Sequence, residues 1–182
     1  MTEQDQGSAY FLDHDEEAEQ KATYAVMVDN EAGVLHRVVG LFAARGYNIE
    51  SLTVAETDHA SHTSRITIVT RGSPSALKQI RAQLEKMVCT RAVIDVGNDP
   101  ESLERELALF KVKGAGEARA EALRMADIFR ARVIDTTHES FVFEVSGAPS
   151  KIDKFEDLMR PLGLVESARS GVMSFTRGAD RR

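Results

Sequence analysis

The fold is decided by residues 29–55, DNEAGVLHRVVGLFAARGYNIESLTVA. Asp29 and Asn30 favour a turn, and the apolar residues of 34–42 recur at helical spacing. Gly46 then supplies a left-handed helix stop, and strand-forming residues follow it. The stretch therefore predicts a tight loop, a helix and a strand, in that order.

The flanking sequence extends this stretch to strand, helix, strand, strand, helix, strand. Short runs rich in β-branched residues indicate the strands, and apolar residues three or four apart indicate the helices. This order is typical of a ferredoxin-like domain of the α+β class. The predicted strands are residues 23–28, 48–57, 65–70 and 92–96, and the second helix is capped by residues 72–75.

The same order recurs after the turn-forming run Gly97-Asn98-Asp99-Pro100. We therefore expect two tandem ferredoxin-like βαββαβ domains. The predicted strands of the second are 104–113, 133–137, 141–146, 165–168 and 172–176, and its helices are 117–130 and 149–159. The predicted limits are a leader at 1–22, a first domain at 23–97, a linker at 98–103, a second domain at 104–177 and a tail at 178–182.

The net charge of −6 lies before the first domain. Residues 1–23 hold seven acidic side chains and one lysine, which leaves 22 acidic and 22 basic side chains for the rest. The leader is typical of a disordered segment, and a neutral body lacks the basic surface that nucleic acid requires. No apolar run approaches the roughly 20 residues that cross a bilayer, and no signal peptide precedes the first domain. With a single cysteine, we expect a cytoplasmic protein.

The histidines do not predict a catalytic or metal site. His59 and His62 lie three apart beside Asp58, but a zinc site needs three or four ligands. His36 and His138 have no nucleophile at a recognisable spacing. We therefore expect no catalytic residue and no metal ligand.

The loop before the first helix is the candidate binding site. A helix start exposes unpaired N–H groups that suit an anion, here those of Val34 and Leu35. Gly33 lets a ligand approach the backbone, and the Asn30 amide both donates and accepts. The alternative is a structural turn in which Asn30 caps the helix. On the residues alone, the two interpretations carry equal weight.

Two local features extend these predictions. Gly40 lies inside the first helix, where glycine costs about 1 kcal/mol against alanine, so we expect close backbone packing there. In the following strand Ser51 and Thr53 share a small, half-polar face with Ile49 and Ala55. Such a face suits a second subunit better than a packed core.

Residues 29–55 resemble the ACT domain of the small, regulatory subunits of acetolactate synthase, also called acetohydroxyacid synthase. The most specific part is GYNIESL at 46–52. Residues 104–107, 129–135 and 168–172 resemble the C-terminal domain of the same family. The resemblance extends from residue 24 to about residue 177.

The resemblance implies a non-catalytic chain that binds and activates the catalytic large subunit in branched-chain amino acid biosynthesis. It also implies feedback inhibition by valine or a related amino acid. Thiamine diphosphate, magnesium and FAD are expected in the catalytic partner and no cofactor in this chain. The alternative function is a free-standing ACT-type amino-acid sensor that acts on another enzyme.

The resemblance further implies a homodimer through the ACT domains, with the effector at their interface. Asp29 stands where glutamate is commoner in the family, and His36 where a small residue such as serine is commoner. Carried over by position, the residues expected to contact the effector are Asn30, Gly33, Val34 and Leu35 of one chain and Asn48 and Ile49 across the dimer.

Overall fold

A computed structural model describes residues 18–178. Its two antiparallel sheets belong to two domains in tandem, and each sheet packs two helices against one face. Most of the predicted leader, and all but the first residue of the predicted tail, lie outside the described residues. The first strand begins at Gln20, three residues inside the predicted leader.

The first domain has the predicted element order. Its sheet has the order β2-β3-β1-β4, in which every neighbouring pair is antiparallel. Strand alternation turns Tyr24, Val26 and Val28 toward the helices, where they are buried with Val38 and Phe42. The elements are β1 (Gln20–Asp29), α1 (Val34–Ala43), β2 (Ile49–Asp58), β3 (Thr63–Gly72), α2 (Pro74–Glu85) and β4 (Thr90–Asp95).

The second domain repeats this path, so the prediction of two tandem ferredoxin-like domains is confirmed. Its sheet has the order β6-β7-β5-β8, and Phe110, Phe143 and Phe155 pack at its centre with ring centroids 5.2 and 6.1 Å apart. The elements are β5 (Ser102–Lys113), α3 (Gly116–Phe129), β6 (Arg132–Thr136), β7 (Ser140–Gly147), α4 (Pro149–Met159), β8 (Leu164–Arg169) and β9 (Met173–Thr176).

One strand goes beyond the ferredoxin-like pattern. β9 pairs with the first four residues of β5, Ser102–Arg105, within the part predicted as linker and second-domain start. These two segments form a two-stranded unit, called the ribbon below. Because the main sheet pairs with β5 only from Glu106 onward, the ribbon projects beyond that sheet.

The ribbon lies over the face of the first sheet that points away from its helices. The Thr23 hydroxyl donates to Glu104 at 2.6 Å, and the Arg65 guanidinium donates to the carbonyl of Ser174 at 2.7 Å. Thr67 and Val69, on the same face, are buried. The ribbon therefore covers part of this second face of the first sheet, whereas Ala55 on the same face is exposed.

Three sequence predictions were wrong locally. A Cβ at Gly40 would meet nothing within 4 Å among residues 18–178, so the close packing predicted there is not found within the described part of this chain. Ser51 and Thr53 lie against Gly171 and Val172 of the same chain, not against a second subunit. Ile49 does not share their face, because the pairing of β2 with β3 shifts register between Ile49 and Ser51, and its side chain packs against the first core.

Candidate functional site

The start of α1 is built around Gly33. Gly33 is the residue before the first helical turn and has a left-handed φ of 84°, a conformation that glycine adopts without strain. Since Gly33 has no side chain, no side chain caps the helix. The capping role that the structural interpretation gave to Asn30 is therefore wrong, whereas its other part, a turn that Gly33 permits, agrees with the φ of 84°.

One of the two predicted N–H groups is free. The Leu35 N–H has no hydrogen-bond partner within residues 18–178, whereas the Val34 N–H donates to the Glu31 carbonyl at 3.2 Å. The prediction that both groups are unpaired was thus wrong for Val34. The first turn of α1 also carries no acidic residue, so the positive end of the helix dipole is not neutralised.

The predicted contact residues of this loop differ in accessibility. Asn30 and Gly33 are exposed, and the Asn30 side chain has no partner in the part of the chain that the structure describes. Leu35 is 39 % exposed, whereas Val34 is 6 % exposed and packs into the first core. A ligand at this surface therefore meets the Asn30 amide, the Leu35 side chain and the backbone.

Arg91, on the neighbouring strand β4, positions this loop. The sequence analysis did not identify this residue. From the start of β4 its guanidinium contacts the Asp29 carboxylate and the Thr63 hydroxyl, both at 2.5 Å, and the Ser61 carbonyl at 3.0 Å. The Asn30 N–H also donates to the carbonyl of the same turn, at His62. No motif marks Arg91, because only the strand pairing brings it next to Asp29.

Asn48 and Ile49 lie at the start of β2. The Asn48 carbonyl accepts a hydrogen bond from the Thr70 hydroxyl at 2.6 Å, and its exposed side chain has no partner among the described residues. Ile49 is half-buried. β2 is an edge strand of its sheet, so this end of it is open to a second molecule.

The structure does not bring the two groups of predicted residues together within one chain. Along β3, Asp29 pairs with Thr63 and Ile49 pairs with Thr70. Seven strand residues separate these positions, about 23 Å at the rise of a β-strand. Asn30 and Asn48 thus lie toward opposite ends of the first domain.

Other kinds of site find little support within residues 18–178. No three side chains of histidine, cysteine, aspartate or glutamate come together as metal ligands there. His36 is exposed on α1, and the His59 Nδ1 atom lies 2.8 Å from the Glu56 carboxylate. None of the helices described there has the length and apolarity to cross a membrane.

Two family models match the chain, one for each domain. Residues 25–92 match a family described as "AHAS small subunit-like ACT domain". Residues 105–178 match a family described as "Small subunit of acetolactate synthase". The two matches leave residues 1–24, 93–104 and 179–182 uncovered, and the middle gap includes the end of β4 and the start of β5.

Individual relatives agree with these matches. The chain is 44 % identical over 158 residues to the "Probable acetolactate synthase small subunit" of Archaeoglobus fulgidus, covering 87 % of this chain and 98 % of that one. It is 43 % identical to the "Acetolactate synthase isozyme 3 small subunit" of Escherichia coli, covering 85 % and 94 %. The crystal structure of the acetolactate synthase small subunit from Thermotoga maritima superimposes with a TM-score of 0.77 at 33 % identity, covering 88 % and 99 %.

Proposed function

The chain belongs to the family of acetolactate synthase small subunits. From this we propose that it binds valine and thereby transmits feedback inhibition to a catalytic large subunit. The family assigns it a regulatory, non-catalytic role in branched-chain amino acid biosynthesis. The proposal adds that the chain activates its large subunit and that valine, or a related amino acid, inhibits the pair. Thiamine diphosphate, magnesium and FAD would belong to the large subunit.

The start of α1 is the observation that carries the proposal. It offers a carboxylate the free Leu35 N–H and the uncompensated dipole of a helix start. Gly33 leaves the backbone open to a ligand, since a Cβ there would meet nothing within 4 Å. The Asn30 side-chain oxygen would accept from the ligand ammonium.

The separation of Asn30 from Asn48 supports an effector site shared by two chains. A free amino acid is far shorter than the roughly 23 Å between the two groups in one chain. A second copy related by a two-fold axis would bring Asn48 and Ile49 to the helix start of the first, and would create two equal sites. Ile49 and Leu35 would then supply apolar contact for a branched side chain.

Inhibition requires that the effector bind two states of the assembly with different affinity. Because each site would lie between two chains, a bound effector would favour one relative arrangement of the two chains over another. A coupling free energy of about 1 to 3 kcal/mol would change activity roughly 5- to 150-fold.

A complementation experiment tests the shared site. We expect Asn30→Ala and Asn48→Ala each to abolish valine binding in calorimetry. After the two variants are mixed and their subunits exchanged, half of the dimers are mixed and each holds one intact site of two, so about a quarter of the parent binding capacity returns. No recovery in demonstrably mixed dimers would show that both residues act from one chain, or that neither binds valine.

Reconstitution tests the regulatory function itself. Addition of the chain to an acetolactate synthase large subunit should raise acetolactate formation, and valine should reverse the increase. Arg81→Met provides a control, since Arg81 pairs with Glu85 at the surface of α2, away from the proposed site. A parent chain that leaves the rate unchanged would contradict the proposal.

A further inference from the structure

The interface between the ribbon and the first sheet is polar. The Val172 N–H donates to the Ser51 hydroxyl at 2.9 Å, and Thr23 pairs with Glu104. Lys21 lies 3.8 Å from the Glu104 carboxylate. Interfaces of this kind between domains resemble transient protein contacts, because water can replace their hydrogen bonds when they separate.

Arg65 is a third charged group at this interface, in addition to Lys21 and Glu104. One side of its guanidinium donates to Ser174, and its centre lies 5.2 Å from the Phe175 ring centroid. No carboxylate pairs with it among residues 18–178, and burial lowers its pKa. A half-buried cation without an opposite charge is costly, and the contacts to Ser174 and Phe175 of the ribbon offset part of that cost.

Three buried polar atoms in this interface have no hydrogen-bond partner within the described residues. They are the Thr53 hydroxyl, the Ser174 hydroxyl and Nε of Arg65. Each of these atoms is buried away from water without gaining a hydrogen bond, and this cost opposes the docking of the ribbon on the first sheet. The contacts between the ribbon and the first sheet are thus opposed by these three atoms, which regain hydrogen bonds to water when the ribbon separates from the sheet.

The ribbon also meets the strand that carries half of the proposed effector site. Ser51, which holds Val172, lies two residues beyond Ile49 on β2, across the register shift. Gly171 approaches the same strand so closely that a Cβ there would lie 2.8 Å from the Thr53 hydroxyl. Any displacement of the β2 start therefore acts directly on the residues that dock the ribbon.

We propose that the ribbon, Ser102–Arg105 with Met173–Thr176, is a releasable clasp that couples effector binding on the first domain to the position of the second. Arg65 and Ser51 hold the clasp. The proposed coupling depends on the proposed effector site. The docking of the ribbon on the first sheet does not depend on that site.

Hydrogen exchange on the full chain tests the clasp. In Arg65→Met, which removes the charge, and in Ser51→Ala, which removes the acceptor of the Val172 N–H, the Val172 amide should exchange at least about tenfold faster, because it is the amide of this segment that bonds the first sheet. Core amides of β1 and β7 should be unchanged, which excludes unfolding. Arg81→Met is the matched control, because Arg81 pairs with Glu85 on α2. Unchanged exchange of the Val172 amide in both variants would overturn the clasp.

The coupling is tested by adding valine to the parent chain. Valine should change the exchange of the Val172 amide at least about threefold, and the change should disappear in Arg65→Met, although calorimetry still detects binding. If valine binds and the Val172 amide does not respond, the coupling is wrong and the effector site stands. If calorimetry shows no binding at all, the effector site is wrong, and the coupling falls with it.

Discussion

Arg169 and Glu106 form a two-pronged ion pair in the second domain, with Nε to Oε1 at 2.9 Å and Nη2 to Oε2 at 2.6 Å. Glu106 is 4 % exposed, and the guanidinium also contacts Asp153 at 2.7 Å. The hydrogen bond to Glu106 is the largest of the causes that raise the pKa of Arg169. The pair joins β8 to the point where the ribbon leaves the main sheet.

Loss of Arg169 should destabilise the second domain strongly. Arg169→Met leaves the Glu106 carboxylate buried without a partner, at a cost of about 3 kcal/mol in the free energy of unfolding. The control Arg124→Met breaks an exposed pair with Glu121 and should cost less than about 1 kcal/mol. Urea unfolding measures the free energy of unfolding of both variants. Equal decreases in the two variants would show that the buried pair stabilises the domain no more than the exposed pair does.

Tyr24 should make the first domain sensitive to high pH. Burial, then the nearby Asp95 charge, raises the pKa of Tyr24 to about 12, and its hydroxyl donates to the Leu77 carbonyl at 3.0 Å. The unfolded chain loses this proton near pH 10 and the folded chain only near pH 12. Stability is therefore constant below pH 10 and falls as pH rises between these values, by roughly 2 to 3 kcal/mol in all.

Denaturant unfolding between pH 9 and pH 12 measures this dependence. Tyr24→Phe should remove the tyrosine part of the slope and cost about 1 kcal/mol at neutral pH through the lost hydrogen bond. Tyr47→Phe is the control, because the Tyr47 hydroxyl bonds Gln79 at the surface. A Tyr24→Phe variant with the parent slope would contradict the assignment.

Two glycines of one helix should respond to alanine in opposite directions. Gly33 has a φ of 84°, so Gly33→Ala strains the backbone by about 1 kcal/mol and should weaken valine binding. Gly40 lies within α1 without such a φ and with open space beside it, so Gly40→Ala should stabilise the chain by about 0.5 to 1 kcal/mol. Melting temperatures test both, and a destabilised Gly40→Ala would indicate a contact with a second chain there.

Arg91 should act on effector affinity through the loop that it positions. Arg91→Met removes its hydrogen bonds to Asp29 and Ser61, and a loss of about 1 kcal/mol in binding raises the valine Kd roughly fivefold. Arg81→Met should leave the Kd unchanged. An Arg91→Met chain with parent affinity would show that the loop keeps its shape without the guanidinium.

Much of the candidate site was accessible from local sequence. The turn residues at 29–30, the glycine before the helix and the helical spacing after it act over a few positions, and all appear in the structure. Arg91 was not accessible in this way, since it is 62 positions from Asp29 and reaches it only through strand pairing. The Val34 N–H was also misjudged, because its bond to Glu31 depends on the turn that the loop adopts.

By itself, the sequence determined the two ferredoxin-like domains and the position of the candidate binding loop. The hydrophobic period, the turn residues and the helix stops are local properties, and they predict helices and strands at any position along the chain. Only the tertiary structure decided that Asn30 and Asn48 lie apart, that Ile49 turns into the core, and that the ribbon covers part of the first sheet. These relationships depend on strand register and on contacts between residues more than 100 positions apart, such as Ser51 with Val172, which no local pattern encodes.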